Sequence, residues 1–457
     1  MDYKDISRTV EPFIYKKVIS KKSDNIIFEL TELKKEKIVL EITEPYEGIN
    51  NAYFTIIQNK NKYYLYYRGL AHPSFKNPEK TKYYEHNELL PYECFCLAES
   101  DDGLNFIKKN YNIVRNKYIR EEVNGVLKWD NYCHNFFPYY SKKEDKFYGI
   151  AGVSLINGGL HLHDSHDGIH WNRLGCIISE NLILSNWCHI NHFDTHNCIV
   201  YNKKQSMYYL FLRHNDKRNR WIQYTKTADF KNFVKCKEIS INNLPRQNIY
   251  TPSIFEYPNS NYFIGIPTLG NERIKHCNVL ITSNNCDEWD VLSDNIFDKQ
   301  EKMGVCGIVL SEDKNKMFMY VNNNDLYSVN NVECYSFPTD RLNKIICRED
   351  DGWIITNEID IFNDMIWVNF EVLNSNGFIT VELILNNKCI KRSKKYTGNE
   401  KYLLVEWDNC DNCDNCDNLD VFNVVNKKSL NKVINYNIKF NLSKCCLYSF
   451  YYNDRNY

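Results

Sequence analysis

The sequence predicts an all-β chain, a five-bladed β-propeller followed by a C-terminal β-sandwich, and three observations lead there. The first is a recurring turn. Ser165-His166-Asp167-Gly168-Ile169-His170-Trp171 and Ser100-Asp101-Asp102-Gly103-Leu104-Asn105-Phe106 share one spacing, with weaker echoes at Thr227 to Phe233 and Ser283 to Trp289. Each opens on a polar residue and closes on an aromatic one, which suits a tight hairpin whose Asp caps backbone N–H groups. Copies at roughly 55 to 65 residues imply a repeat architecture. The second observation is a strand, polar turn, Tyr/Phe-rich strand pattern that appears five times. The third is the content of 34 Tyr and 24 Phe, which favours pleated strands.

Lys16 to Glu44 contains two β-like runs, Asn25 to Leu30 and Lys37 to Ile42. The first pair follows, Ala52 to Gln58 with Tyr63 to Arg68, and then Asn135 to Tyr140 with Lys146 to Ala151 and Asn197 to Tyr201 with Met207 to Arg213. Ser253 to Tyr257 with Tyr262 to Pro267, and Val305 to Leu310 with Met317 to Val321, complete the set. Turn residues such as Asn59-Lys60-Asn61 and Pro258-Asn259-Ser260 separate the members. In the first four units a third run, the recurring turn and a fourth run come next, which makes a four-stranded blade. A small sheet must bury both faces, and radial closure of five such sheets supplies the neighbours. The fifth unit lacks the turn motif, so the N-terminal segment 1–44 is expected to close the ring around 45–340, one of its runs supplying the outer strand of the last blade. After Asp340 about six strands, among them Met365 to Leu373 and Phe378 to Leu385, predict a β-sandwich over 341–457 packed against the propeller.

Composition narrows the function. In 457 residues, 57 basic and 58 acidic side chains give a formal charge of -1, so no global field favours nucleic acid or an anionic membrane. Met1 to Lys22 mixes charges and lacks the apolar core of a secretory signal, and no run reaches the ~20 apolar residues of a membrane span. The expectation is a cytoplasmic protein whose 18 Cys are mostly reduced. Oligomeric state is not legible. No phosphate-binding loop, nucleotide fingerprint or Ser-His-Asp elbow occurs.

The chain resembles the five-bladed glycoside-hydrolase-like propellers, the group that contains invertases and arabinanases, in particular a mostly uncharacterised subgroup with a C-terminal β-sandwich. The residues that carry the resemblance are Tyr66-Tyr67-Arg68-Gly69, Ala98-Glu99-Ser100 with Asp102-Gly103, His134-Asn135-Phe136, Phe193-Asp194-Thr195 with Asn197, and Tyr250-Thr251. Asp340-Arg341-Leu342, Val368-Asn369, Gly377, Val405-Glu406-Trp407 and Leu447-Tyr448-Ser449-Phe450 continue it to the C-terminus. The resemblance implies a glycosidase-like protein that hydrolyses or binds a glycan in a central channel, with acids at the inner-strand starts of the first three blades.

Polar residues cluster before the innermost strands, at Glu47 to Asn51, Asp130 to Asn135, His192 to Asn197 and Gln247 to Thr251. In a propeller these starts converge on the channel, although Asx and His residues also cap such loops for purely structural reasons. Glycoside hydrolysis takes two carboxyl groups about 5 to 9.5 Å apart. Asp194 fits the third blade. The first blade has Asn50 and Asn51 at the site with Glu47 displaced, and the second has His134 and Asn135 with Asp130 upstream, a departure from the three-acid pattern. Asp194 and Glu47 are therefore the expected carboxylate pair. His134 positions substrate or tunes a pKa, Asn135, Asn197 and Thr251 line the site, and Arg68 and Arg213 clamp hydroxyls or a carboxylate. Trp187, His189 and His192 form either an aromatic platform or a packed loop. No cofactor is expected, and calcium on Asp194, Asn197 and backbone carbonyls is permitted without being demanded by a loop motif. The alternative class is a catalytically silent glycan-binding or structural module.

Two further patterns point away from metal. Cys410, Cys413 and Cys416 recur in an Asp-Asn-Cys triplet, which reads as an expanded surface loop, since zinc takes four ligands from separated pairs. His161 and His163 share a strand face, a spacing that permits a ligand pair, but the run with His166 and His170 reads as solvent-exposed.

Overall fold

The computed structural model describes residues 8–47, 52–70, 93–114, 124–128, 133–152, 159–178, 180–184, 192–216, 219–270, 275–276, 279–294, 296–297, 302–323, 330–361, 364–408 and 435–453. Among these, regular structure consists of β-strands with short 3-10 turns, and no helix is long and apolar enough to cross a membrane. The chain divides into two units, Leu33–Thr339 and Met1–Glu32 with Asp340–Tyr457.

The first unit is a series of antiparallel meanders. Ala52–Asn59, Lys62–Leu70, Glu93–Ser100 and Ile107–Lys108 pair in order, and Gly125–Lys128 also joins Glu93–Ser100. Phe137–Ser141, Lys146–Gly152, Leu160–Ser165 and Asn172–Ile178 repeat the scheme, as do Cys198–Asn202, Met207–Asp216, Asn219–Thr227 and Lys237–Glu238. Ile254–Glu256, Phe263–Gly265, Leu280–Ser283 and Glu288–Ser293 follow, with Ser240–Asn242 parallel to the last. Lys302–Leu310, Lys316–Asn323 and Asn331–Pro338 form another meander, and Lys34–Glu41 pairs antiparallel with its final strand. A parallel bridge between Cys306 and Thr55 joins this sheet to the one that starts at Ala52. Tandem hairpins arise because each first turn carries a residue with positive φ: Lys60, Asp145, Ser206, Asn259 and Lys314.

The recurring turn has one chemistry in its four copies. The Ser or Thr hydroxyl at the first position bonds the third residue, whose own side-chain oxygen accepts two N–H groups further on. Asp102 accepts from Leu104 and Asn105, Asp167 from Ile169 and His170, Asp229 from Lys231 and Asn232, and Asn285 from Asp287 and Glu288. The turn also fastens one meander to the previous one. The Tyr66 hydroxyl donates to the Gly168 carbonyl at 2.9 Å, and Tyr320 donates to the Gly103 carbonyl at 2.8 Å. The closing aromatic folds back, since the Trp171 and Trp289 indoles donate to the Gly168 and Cys286 carbonyls.

In the other unit, Ile26–Leu30, Asn343–Cys347, Cys445–Asn453, Ile366–Val372 and Asn399–Leu404 make one sheet, with Arg8–Glu11 on Cys445–Asn453. The second sheet runs Ile19–Lys22, Gly352–Thr356, Asn435–Ser443, Phe378–Leu385, Lys388–Ser393 and Trp407–Asp408, with Ile359–Asp360 on Asn435–Ser443. One hydrophobic core takes Ile345, Val368 and Phe450 from the first sheet and Ile354, Val381 and Phe440 from the second.

The 1–44 segment contributes to both units, and one of its two β-like runs takes the outer edge of the last meander. Lys34–Glu41 lies in the Leu33–Thr339 unit, while Arg8–Glu11, Ile19–Lys22 and Ile26–Leu30 pair with strands that follow Asp340. The reason is burial: Phe13, Val18 and Ile26 belong to the core of that second unit. The His-rich run is also corrected, because His161 and His163 are buried, the latter packed edge-on against Phe136, whereas His166 and His170 are exposed. Cys410, Cys413 and Cys416 lie outside the described residues.

Gly168 provides a test of the turn. Its φ is +76, and a Cβ there would stand 2.4 Å from the Tyr66 hydroxyl, whereas at Gly175, φ +124, a Cβ meets nothing within 4 Å. Gly168→Ala is expected to destabilise by about 1–3 kcal/mol, more than Gly175→Ala, and Tyr66→Phe should recover part of the difference. Denaturant unfolding of the single and double variants measures this; equal losses at the two glycines would remove the steric clamp from the account.

Candidate functional site

Arg68, Glu93, His134, Asn135, Asp194 and Arg213 come together in the Leu33–Thr339 unit from separate meanders or the loops that lead into them. His134 and Asn135 precede Phe137–Ser141, and Asp194 precedes Cys198–Asn202. Arg68 lies in Lys62–Leu70, Arg213 in Met207–Asp216, and Glu93 begins Glu93–Ser100. Asn135 has φ +54, a conformation that Asn tolerates better than most residues, and it turns the loop so that its side chain reaches two neighbours. Asn197 shapes the Asp194 loop, donating to the Phe193 carbonyl at 2.8 Å.

Asp194 is the most accessible acid in the cluster, its side chain 32% exposed. Its Oδ1 contacts His134 Nε2 at 3.1 Å and accepts from Asn135 Nδ2 at 2.9 Å, and Oδ2 faces Arg213 Nη1 at 3.6 Å. Burial alone would raise its pKa, but the His134 hydrogen bond and the Arg213 charge reverse that and hold the carboxyl well below its ordinary value. The other imidazole nitrogen, His134 Nδ1, meets Glu93 Oε2 at 2.7 Å. Burial disfavours the His134 cation, yet the Glu93 charge and the hydrogen bonds to both acids outweigh it and push the pKa up to about 9. At neutral pH an imidazolium therefore links the two carboxylates.

Around this core, Arg68 Nη1 donates to Asn135 Oδ1 at 2.6 Å, and its guanidinium lies over the Tyr53 ring at 4.4 Å. The Tyr53 hydroxyl bonds the Tyr250 hydroxyl at 3.1 Å, and the two rings are nearly parallel. Tyr53 reaches this position through a φ of +60 at an irregularity in the pairing between Ala52 and Thr55. Beneath it His196 contacts the Thr55 hydroxyl at 3.0 Å and stays neutral, since burial first and the Arg68 charge second push its pKa down to about 3.

Of the expected residues, the structure brings Asp194, His134, Asn135, Arg68 and Arg213 together and adds Asn197 as a support. Thr251 follows Tyr250, but its hydroxyl is buried and spent on Thr268 at 2.8 Å. Glu47 is not brought to Asp194. Its oxygens are taken by the Tyr67 hydroxyl, by Lys108 Nζ at 2.8 Å and by the Glu44 N–H at 2.8 Å, and the side chain is fully buried. The reason is strand alternation: Arg68 points to the cluster, so Tyr67 and the Glu47 it holds lie on the opposite face. The carboxylate that pairs with Asp194 through His134 is Glu93, which sequence reasoning missed. Strand register places it there, since Glu93 lies opposite Leu70, two residues beyond Arg68 and on the same face. Tyr53 was missed as well. Asn50, Asn51, Asp130, Trp187 and His189 lie outside the described residues. Among the described residues no group of three or more His, Cys, Asp or Glu is placed to hold a metal.

No protein-family model matches the chain, and no curated protein matches it. Solved structures similar to it include a glycoside hydrolase family 43 arabinoxylan arabinofuranohydrolase from Bacillus subtilis in complex with cellotetraose, at 9% identity and a TM-score of 0.40, over 90% of this chain and 98% of that one. An exo-beta-1,3-galactanase from Phanerochaete chrysosporium is similar at 9% identity and a TM-score of 0.43, over 92% and 100%. The catalytic domain of a Coprinopsis cinerea GH62 alpha-L-arabinofuranosidase is similar at 10% and 0.42, over 67% and 97%. At these scores the likeness assigns neither family nor activity.

The charge bridge makes a pH prediction. A histidine whose pKa rises on folding, here from 6.5 to about 9, contributes stability that is complete below 6.5 and disappears as pH climbs through about 9. Urea unfolding between pH 6 and 10 should show wild type losing about 1–3 kcal/mol more than His134→Gln over that interval. Parallel curves for the two proteins would contradict the bridge.

Proposed function

We propose that the Leu33–Thr339 unit is a five-bladed β-propeller with each long meander a blade, that Met1–Glu32 with Asp340–Tyr457 is a β-sandwich, and that the protein binds a glycan over Asp194. The lining residues come from different meanders, His134, Asn135 and Asp194 from the loops that lead into first strands and Arg68, Arg213 and Glu93 from the strands that follow, and convergence of that kind is how a propeller builds a central site. The observation that carries the reading is the state of Asp194. It is a partly exposed carboxylate, ionised and fixed in direction by His134, Asn135 and Arg213, next to the partly exposed Tyr250 ring. Such a group accepts hydrogen bonds from sugar hydroxyls, and a tyrosine face covers the apolar side of a sugar ring.

Hydrolysis is the second reading, favoured by the same carboxylate, since an ionised acid in fixed orientation is what a nucleophile or general base requires. Against it stands the other half of the pair. Glu93 is buried and tied through Oε2 to His134, and a protonated acid facing the leaving group is not among the described residues around Asp194. Binding is therefore the function that the geometry supports best.

A glycan array probed with the purified protein tests this, followed by calorimetry on the best ligands. Asp194→Asn, which keeps the shape and removes the charge, should weaken binding at least about tenfold. Retention of full affinity by that variant would displace the ligand from Asp194. Turnover of aryl glycosides by wild type but not by Asp194→Asn would instead establish the hydrolytic reading.

A further inference from the structure

Arg213 carries more donor capacity than its surroundings use. Its side chain is 3% exposed, and Nη1 faces Asp194 Oδ2 at 3.6 Å, a separation that balances charge without a good hydrogen bond. Nε and Nη2, the two nitrogens along one edge of the guanidinium, are buried and have no hydrogen-bond partner among the described residues. That edge presents two parallel N–H groups, the fork that matches the two oxygens of a carboxylate. Leaving both unmet in the interior costs free energy.

The same chain shows what a filled edge looks like. Arg341, similarly buried, donates from Nε to Asn369 Oδ1 at 2.7 Å and from Nη2 to Asn399 Oδ1 at 2.7 Å. Arg341 has oxygens at both positions, and among the described residues Arg213 has them at neither. The charge balance around it agrees. Among the described residues, the charged groups seen around Arg213 are Asp194, the His134 imidazolium between Asp194 and Glu93, and the Arg68 and Arg220 guanidinium groups. Arg213 and Arg220 both approach the Tyr250 ring, at 5.7 and 5.2 Å, which places two cationic groups on the side of the cluster that carries this partly exposed ring.

We infer that the glycan is acidic, a sugar bearing a carboxylate, and that this carboxylate docks on the Nε and Nη2 edge of Arg213 while Asp194 accepts from a neighbouring hydroxyl. The inference rests on the proposed glycan site. Neutral sugars offer the fork only uncharged hydroxyl oxygens, which balance none of its charge, and a sulfate ester is the competing anion that the test separates from a carboxylate. Because both nitrogens are screened from solvent, the sugar reaches them by displacing their cover.

The test measures binding of galacturonate and glucuronate oligosaccharides, their methyl esters, the neutral parent sugars and sulfated counterparts to wild type and Arg213→Lys. Lysine keeps the charge and removes the fork. Wild type should prefer the free acids over esters, neutral sugars and sulfates by about tenfold or more, and the lysine variant should lose that preference. Binding of neutral sugars as tight as that of the acids overturns the acidic ligand and leaves the glycan site standing. A preference for acids that survives in Arg213→Lys overturns the role of the fork, and a preference for sulfates overturns the carboxylate. Failure of every sugar to bind overturns both this inference and the function on which it rests. If thermal unfolding shows that Arg213→Lys does not fold, the ratio of acid to ester binding in wild type decides alone.

Discussion

Two buried guanidinium groups, Arg68 and Arg213, set the terms for the centre of the Leu33–Thr339 unit. A charge with 5% or 4% exposure is tolerable only where opposite charge and aligned acceptors surround it. Asn135 and the Tyr53 ring answer Arg68, and Asp194 answers the charge of Arg213. Asp194 in turn takes His134, and His134 takes Glu93. The partners come from several strands and loops far apart in sequence, so the compensation cannot be completed locally. The charge network and the arrangement of the meanders require each other.

That interdependence makes the centre unlike the turns further along each meander. The Ser/Thr-x-Asp/Asn turns satisfy their own backbone within a few residues, and one tyrosine hydroxyl from the previous meander is enough to fasten a copy to its neighbour. Such units can be copied along a chain with little adjustment, which explains why they recur with recognisable spelling. The central residues do not recur. The positions that lead into the first strands hold His134 and Asn135 in one meander, Asp194 in the next and Tyr250 before Ile254–Glu256, because each has a different partner to meet.

The legibility of the sequence follows the same division. Strand pairs, hairpin turns and the third-to-fourth-strand turn could be read because their causes are local: alternation, turn formers and caps within about seven residues. Asp194, His134, Asn135, Arg68 and Arg213 could be nominated because polar residues before an apolar strand stand out. Glu47 stood out equally, yet it serves a buried network with Tyr67 and Lys108. Glu93 did not stand out, since nothing near it in sequence names His134 as its partner 41 residues away. The partners of the first three N-terminal strands were hidden for a related reason. A short β-like run states that it needs an edge, not which edge, and Arg8–Glu11, Ile19–Lys22 and Ile26–Leu30 found theirs more than three hundred residues away.

The sequence by itself determined that the chain is all-β, where its hairpins fall and which loop residues could face a common centre, since these depend on side-chain periodicity and turn chemistry over short spans. Tertiary structure decided which carboxylate shares the imidazolium with Asp194 and which N-terminal strand joins which sheet. It also left the Arg213 fork without oxygens while filling that of Arg341. Those outcomes depend on strand register and on which face of a strand a residue occupies. A shift of one residue reverses the face, so only the assembled sheets fix the choice.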